Sequence, residues 1–351
     1  MRLEEFYKSV DDSKVNVFFI EEPESHMHPQ MQNVFIRFLT KYYTEKKLQG
    51  LITTHSNEIA RSVGLNSLRV IRQTEKSKSE LFNLSKFRKS IENKKVKNVD
   101  KESEFLLQNF FDWFFEIGYS ELIFADKVIL YEGDTERLYI RKLLGMTEFA
   151  SLRDNYIAFI QVGGAYAHNY LEILTMLKMK SLIITDLDYN KDATTFEIAK
   201  NSTSTNATIN HCYRLIYPEK GAAYLPSIKE IYEMQTEKGT VICNDLICVA
   251  YQDENSTART LEEAMLNKFL SKNVFDKTKR SEWKSIRKNN NLTFTIPNNR
   301  NDETDSEFSI RQIVAASSNN KTDFMYSVVL SGNEEKMLPD YIRKGLLWLA
   351  K

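Results

Sequence analysis

The apolar positions of the first fifty residues fall into two patterns. Val15-Asn16-Val17-Phe18-Phe19-Ile20 is a short apolar run that reads as a buried strand, and Val34, Phe35, Phe38 and Leu39 recur at helical spacing between about Gln30 and Tyr43. Further strands are expected around Gly50–Thr53 and Ser67–Ile71, so that strand, helix and strand build a parallel sheet. From Glu75 to Glu102 the pattern lapses: nine Lys/Arg stand against five Asp/Glu with few large apolar residues, and we read an exposed, partly disordered linker. The stretch from Phe105 to Phe124, with Phe110, Phe111, Trp113, Phe114 and Phe115, reads as a buried helix pair. A second α/β unit follows, with strands at Lys127–Tyr131, Ile157–Val162 and Leu182–Thr185 and helices at Thr135–Leu144 and Tyr170–Met179. The polar segment Asn190–Asn210 is expected to be a loop with little fixed structure, residues 241–251 one strand, and the tail from Thr260 helical with loops.

Composition narrows this picture. The chain has 351 residues, 42% of them apolar, with 48 Lys/Arg balancing 48 Asp/Glu. Zero net charge excludes a wholly basic coat, so nucleic-acid binding must use local patches. Such a patch runs from Lys268 to Lys288, where Lys268, Lys272, Lys277, Lys279, Arg280, Lys284, Arg287 and Lys288 face only Asp276 and Glu282. It reads as a phosphate-tracking strip or as a solvated helix face. Cys212, Cys243 and Cys248 have no zinc-ligand spacing and are odd in number, so free thiols in a reducing cytoplasm are expected. No apolar run reaches the ~18 residues of a spanning helix, so no membrane partner is expected.

Two constellations carry chemistry. The run Val17–Ile20 ends in Glu21-Glu22-Pro23-Glu24, and about thirty residues later Leu51-Ile52-Thr53-Thr54-His55-Ser56 runs a strand into a turn. An apolar strand that delivers acids at its end suits Mg²⁺ binding and polarisation of water. No Gly-x-x-x-x-Gly-Lys-[Ser/Thr] loop occurs anywhere, so the backbone cradle for nucleotide phosphates is missing. In the second constellation Val128–Tyr131 ends in Glu132-Gly133-Asp134-Thr135-Glu136, Ile157–Val162 ends at Gly163-Gly164, and Leu182–Thr185 ends in Asp186-Leu187-Asp188. Strand residues two apart point to one side, so both aspartates can face one ion. Acids gathered at strand ends repel unless a cation sits among them, and oxygen donors suit Mg²⁺ or Mn²⁺.

The first constellation resembles the second half of an ABC-type ATPase, and the second resembles the TOPRIM fold of topoisomerases, primases and some nucleases. Their succession resembles the OLD (overcoming lysogenization defect) family of nucleases, and the Gabija defence nuclease subunit has the same order. The resemblance implies an α/β fold: the C-terminal part of an ABC-type ATPase domain over residues 1–73, a basic linker over 74–104 and a helical connection over 105–126. A Rossmann-like TOPRIM domain over 127–255 and a helical extension over 256–351 would complete it. It implies a two-metal DNA endonuclease in which Glu132, Asp186 and Asp188 hold the first ion. Glu136, one helical turn after Glu132, would join Glu262 at the second, and Lys321 would neutralise phosphate charge. Glu21, Glu22 and His55 would be an ATPase remnant, with ATP bound only if a longer protein supplies the phosphate loop. DNA, a second copy of the chain and a helicase-like or other defence partner are the implied partners, in the cytoplasm. The rival expectation is a regulatory fragment whose ATPase half dimerises.

Overall fold

The computed structural model describes residues 17–46, 48–95, 119–163, 166–234, 240–253 and 257–351. It divides into two compact units, Met1–Phe124 and Ala125–Lys351.

In the first unit, β1 (Val17–Glu21) pairs in parallel with β2 (Gln49–Thr53), joined through α1 (Pro29–Glu45). Pro29 opens α1, where its missing N–H costs nothing. Ile36, Leu39 and Tyr43 of α1 pack on Phe18 and on Ile59 of α2 (Asn57–Val63), with Phe18 and Tyr43 stacked at 3.8 Å. Val34 and Phe38, expected on the buried face, are instead exposed. The expected strand near Ser67–Ile71 is β3 (Arg69–Glu75), and it does not extend the parallel sheet. It forms an antiparallel hairpin with β4 (Lys78–Asn83), which is followed by α3 (Leu84–Lys95). The supposed linker is therefore ordered as far as Lys95. Strand β4 turns Phe82 inward and leaves Leu81 exposed, which suits a half-exposed hairpin despite the surplus of lysine. Most of the aromatic stretch 105–124 lies outside the described residues; its end, Tyr119–Phe124, is a 3₁₀ turn.

The second unit is built on a five-stranded sheet. Its members are β5 (Lys127–Tyr131), β6 (Ile157–Gln161), β7 (Lys180–Ile184), β8 (Thr240–Asn244) and β9 (Ile247–Ala250), in the order β6-β5-β7-β9-β8. All pair in parallel except the edge strand β8, which is antiparallel to β9. The α/β class read from the apolar runs is borne out. The single strand expected over 241–251 is this β8–β9 hairpin, because Asn244 turns the chain by accepting the N–H of Leu246 at 2.9 Å. Strands β5, β7 and β9 are buried on both faces, which explains their unbroken apolar runs.

Helix α4 (Asp134–Leu143) follows β5, and α5 (Leu171–Met176) leads into β7. The polar segment after β7 contains two capped helices rather than a loose loop. Thr195 caps α6 (Phe196–Asn201) by accepting from Ile198, and Asn206 caps α7 (Ala207–Ile216) by accepting from Thr208 and Ile209. Its Thr and Asn content marks helix starts. Cys212 of α7 and Cys243 of β8 form a disulfide with their Cα atoms 5.6 Å apart, correcting the expectation of three free thiols. The odd count left room for one pair, and α7 packs on β8. Cys248 is buried outside that bond.

After α8 (Ile228–Met234) and β9, the tail folds back on the sheet as α9 (Leu261–Leu270), α10 (Arg280–Asn289), α11 (Ile310–Ala316), α12 (Lys321–Leu330) and α13 (Asp340–Ala350). Leu346 and Leu349 of α13 join Leu182 and Ala250 of the sheet in one core. Gly345 is where the helix touches the sheet: a Cβ there would come within 2.8 Å of Leu182. Among the described residues no helix is long and apolar enough to cross a membrane.

Candidate active site

The strand order places a site. From β5 the chain crosses to β6 on one side and then to β7 on the other, so β5 and β7 form a topological switch point, with a crevice outside their carboxyl ends. Glu132 and Asp186 emerge there from adjacent strands, one residue beyond β5 and two beyond β7.

Glu132 is held by its neighbours. One carboxylate oxygen accepts from the Thr185 hydroxyl in a short bond, from the Asp186 N–H at 3.2 Å and from Asn206 Nδ2 at 3.5 Å. Asn206 is wholly buried, and its Nδ2 also reaches Thr185 Oγ1 at 2.6 Å and the Asp186 carbonyl at 2.8 Å. The residue that caps α7 thus fastens that helix to the end of β7. Asp186 Oδ1 accepts from Gln252 Nε2 at 2.8 Å, and Gln252 Oε1 accepts the Leu187 N–H at 2.6 Å. Asp188 adopts φ +41°, a left-handed conformation that a non-glycine residue rarely takes. Thr205 pins it there, donating its N–H and hydroxyl to the Asp188 carbonyl at 2.6 and 2.9 Å.

Glu136 sits in the first turn of α4 and folds back to accept the Gly133 N–H at 3.1 Å and the Thr135 hydroxyl at 3.0 Å. Glu132 precedes that helix, so the two acids are joined through this cap rather than along a helix face, as the spacing had suggested. Glu262 lies in the first turn of α9, capped by Thr260, and Lys321 opens α12. Lys321 Nζ stands 3.2 Å from the Glu262 carboxylate.

Electrostatics tie these groups into one neighbourhood. Burial, then Glu132, Glu262, Glu136 and Asp188, push the Asp186 carboxyl well above the ordinary range. Burial raises Glu132 although the Thr185 hydroxyl and Asp186 N–H favour its charged form. Burial, with Glu262 and Glu132 nearby, brings Glu136 to about 7. Burial also raises Asp188, against the pull of Arg259 and Lys321. For Lys321 burial works to lower the pKa, yet Glu262, Asp186 and Glu136 together hold it above the usual lysine value. Carboxylates outnumber cations, and a divalent ion is the natural counter-charge. An all-oxygen donor set fits Mg²⁺ or Mn²⁺. The carboxylates are turned onto protein donors, and among the described residues no group of three or more His, Cys, Asp or Glu side chains closes on a single point.

Other residues singled out along the sequence lie elsewhere in the fold. Gly163, at φ +50°, follows β6, whereas Gly164 is outside the described residues. In the basic segment Lys268 pairs with Asp340 at 2.7 Å and Lys272 with Glu282 at 3.3 Å, while Lys277 and Lys279 are exposed. Arg280 does not belong to the strip. It is buried, pairs with Glu303 and Asp305 at 2.8 and 3.2 Å, and lies over the Phe308 ring. Charge counting could not see this, because both acids come from a loop more than twenty residues away. Thr185, Asn206, Gln252 and Arg259 were missed; only Asn206, as a cap before an apolar helix, left a sequence signal.

In the first unit, parallel pairing brings Glu21 opposite Thr53. His55 Nε2 lies 3.4 Å from Glu22 Oε1, and Glu22 takes φ +42°. Glu24 braces the turn, accepting the Thr54 hydroxyl at 2.6 Å and the His55 N–H at 2.8 Å.

The class defined by acids at adjacent parallel strand ends is supported by comparison with known families. Residues 123–188 match the model of the overcoming lysogenization defect protein-like TOPRIM domain, and residues 1–60 match an AAA ATPase domain. The resemblance to the OLD-family nucleases is thereby borne out. The chain is similar to Endonuclease GajA of Bacillus cereus (strain HuB5-5), with 28% identity over 99% of this chain and 50% of the relative. It is also similar to OLD nuclease of Thermus scotoductus (strain ATCC 700910 / SA-01), with 29% identity over 38% of this chain and 24% of that protein. The chain thus spans about half the length of the first relative and less of the second.

Proposed function

We propose that the second unit is a metal-dependent endonuclease domain that hydrolyses DNA phosphodiesters, as the names of its relatives suggest. The observation that carries this reading is the excess of largely buried carboxylates at the ends of β5 and β7 beside the Lys321 ammonium. Glu132, Asp186 and Asp188 would hold one divalent ion, and Glu136 and Glu262 a second. Bound Mg²⁺ or Mn²⁺ supplies activation of water and stabilisation of the leaving oxygen. The chain's own residues do the rest. Thr185 and Asn206 keep the Glu132 carboxylate oriented toward Asp186. Gln252 fixes the Asp186 carboxylate. Lys321 places a positive charge where negative charge grows on the phosphate, and Glu262 holds that ammonium in place.

The domain reading follows: residues 127–255 form the TOPRIM domain and 256–351 the extension that adds Glu262 and Lys321. Residues 1–73 form part of an ATPase domain whose Glu21, Glu22 and His55 would serve ATP only with a phosphate loop supplied by a longer protein. An ATP-regulated anti-phage role in the cytoplasm, a second copy of the chain and a helicase-like or other defence partner complete this reading. Supercoiled plasmid incubated with Mg²⁺ or Mn²⁺, with and without EDTA, tests the activity. Nicking or linearisation that EDTA stops is expected. No cleavage with either ion by the folded protein would leave the regulatory-fragment reading in its place.

A further inference from the structure

The acid cluster has two cations at its solvent side, and sequence reasoning named only Lys321. The other is Arg259, on the segment between β9 and α9. Its backbone is fixed on both sides: its N–H donates to Glu263 Oε2 at 2.8 Å and its carbonyl accepts the Asp188 N–H at 3.4 Å. Its side chain is anchored at Nε alone, which donates to the Tyr189 carbonyl at 2.6 Å. The outer edge of the guanidinium faces Asp188, with Nη2 at 3.5 Å from Oδ1, too long for a good hydrogen bond. Among the described residues Nη1 has no hydrogen-bond partner.

A neighbouring arginine shows what a structural guanidinium does here. Arg311 flanks the same Tyr189 ring. It spends Nε and Nη2 on the Glu263 carboxylate, Nη2 also on the Tyr189 hydroxyl at 2.7 Å, and Nη1 on the Ala193 carbonyl at 2.8 Å. Arg311 neutralises Glu263, so that buried acid does not need the charge of Arg259. Arg259 is left positioned but unsaturated, at the partly exposed end of a site whose deep end is Asp186.

We propose that Arg259 is a second phosphate-contacting cation of this site, released from Asp188 when a divalent ion binds that carboxylate and then gripping a DNA phosphate alongside Lys321. This rests on the endonuclease reading above. A planar fork whose outer edge, Nη1 and Nη2, is open matches a phosphate, and a divalent ion outcompetes one loose ion pair for a carboxylate. Arg259 thus neutralises Asp188 before metal arrives and holds substrate afterwards.

The two roles predict opposite effects of one substitution. In Arg259→Ala, Mn²⁺ binding without DNA, followed by electron paramagnetic resonance, should be unchanged or tighter, because a competing cation has gone. Binding of a labelled 20-base-pair duplex in Ca²⁺ should weaken about ten-fold, and the slope of log K against log salt should flatten by about 0.9. Arg259→Lys keeps the charge and loses the fork, so it should keep the slope, with KM for plasmid raised several-fold. Unchanged duplex affinity and slope in Arg259→Ala would overturn the proposal. So would Mn²⁺ and duplex binding lost together, which would mark Arg259 as a prop for Asp188. If Arg259→Ala does not fold, wild-type kinetics in Arg259→Lys overturn it instead. Failure of the endonuclease reading has a different signature: the wild-type protein itself shows no metal-dependent cleavage.

Discussion

The two units each bring acids to the ends of parallel strands, and they do so in opposite surroundings. In the first, Glu22 and His55 meet at 3.4 Å with side chains 47% and 83% exposed. In the second, Asp186 is set deep among four other carboxylates. An exposed pair in high dielectric is worth little and is easily undone. A buried excess of like charge is strongly unfavourable until a cation arrives. The packing follows the same contrast. In the first unit Phe19, Leu51, Val34 and Phe38 point into solvent around a two-stranded sheet. In the second the β5, β7 and β9 side chains are enclosed by helices on both faces. Similar strand-end motifs therefore carry different energetic loads.

The sharpest way to break this contrast is to remove one buried acid. Asp186→Ala and Glu132→Ala should each lower plasmid cleavage by about 10²–10³-fold or more, the scale for losing a group that stabilises transition-state charge. Circular dichroism should show intact folding. Cleavage at the wild-type rate in both variants would detach the cluster from the chemistry.

Next in size is the cost of holding the cluster together without metal. Glu136 has its folded pKa raised to about 7, above its unfolded value. The folded state therefore binds more protons than the unfolded state between those values, and stability falls as pH rises through that window. From about pH 5 to 8 the metal-free protein should lose up to about 3 kcal/mol from this group, with Asp186 adding in the same direction. Urea melts in EDTA at several pH values measure this. Mn²⁺ should flatten the profile, because the ion replaces the proton as counter-charge. A profile that rises with pH in EDTA would mean that the acids are already compensated by protein cations.

How much of this was legible in the sequence depends on the range of the interaction. Glu132, Asp186 and Asp188 follow apolar runs directly, so period and strand ends sufficed to find them. Glu262 and Lys321 rested on family likeness, because only tertiary folding brings the first turns of α9 and α12 together. Thr185, Gln252 and Arg259 had no signal, since the groups to which their side chains donate lie 53 or more residues away. The disulfide and the ordered hairpin at Arg69–Asn83 were misread because cysteine parity and lysine content say nothing about pairing. The same holds for Arg280, which counted as surface charge until its acids were located.

That revision sharpens a smaller prediction. Lys277 and Lys279 are exposed members of the basic segment, so reversing both to Glu should weaken duplex binding regardless of sequence and flatten the salt slope by up to about 0.9 per lost contact. Metal binding should not change. Arg280→Glu should instead destabilise the fold, because it leaves Glu303 and Asp305 facing a third acid. An unaltered salt slope in the double variant would make the segment a solvated face.

The smallest expected effect returns to the first unit. His55 and Glu22 are both largely in solvent, so their attraction is screened and offset by the entropy of ordering two side chains. Glu22→Gln should change stability by less than about 0.5 kcal/mol, within the range of ordinary surface substitutions. It should also leave plasmid cleavage by this chain unchanged, because nothing in the sequence supplies the phosphate loop through which Glu22 could act on ATP. Glu24→Gln is the informative partner. Glu24 holds both the Thr54 hydroxyl and the His55 N–H, and its second oxygen is buried without a protein hydrogen bond among the described residues. Its loss should cost more, about 1–3 kcal/mol. Thermal melts of the two variants side by side separate an exposed pair from a half-buried brace on the same turn. A larger loss for Glu22→Gln than for Glu24→Gln would show that the Glu22–His55 contact is structural, and the contrast between the two units would fail at this point.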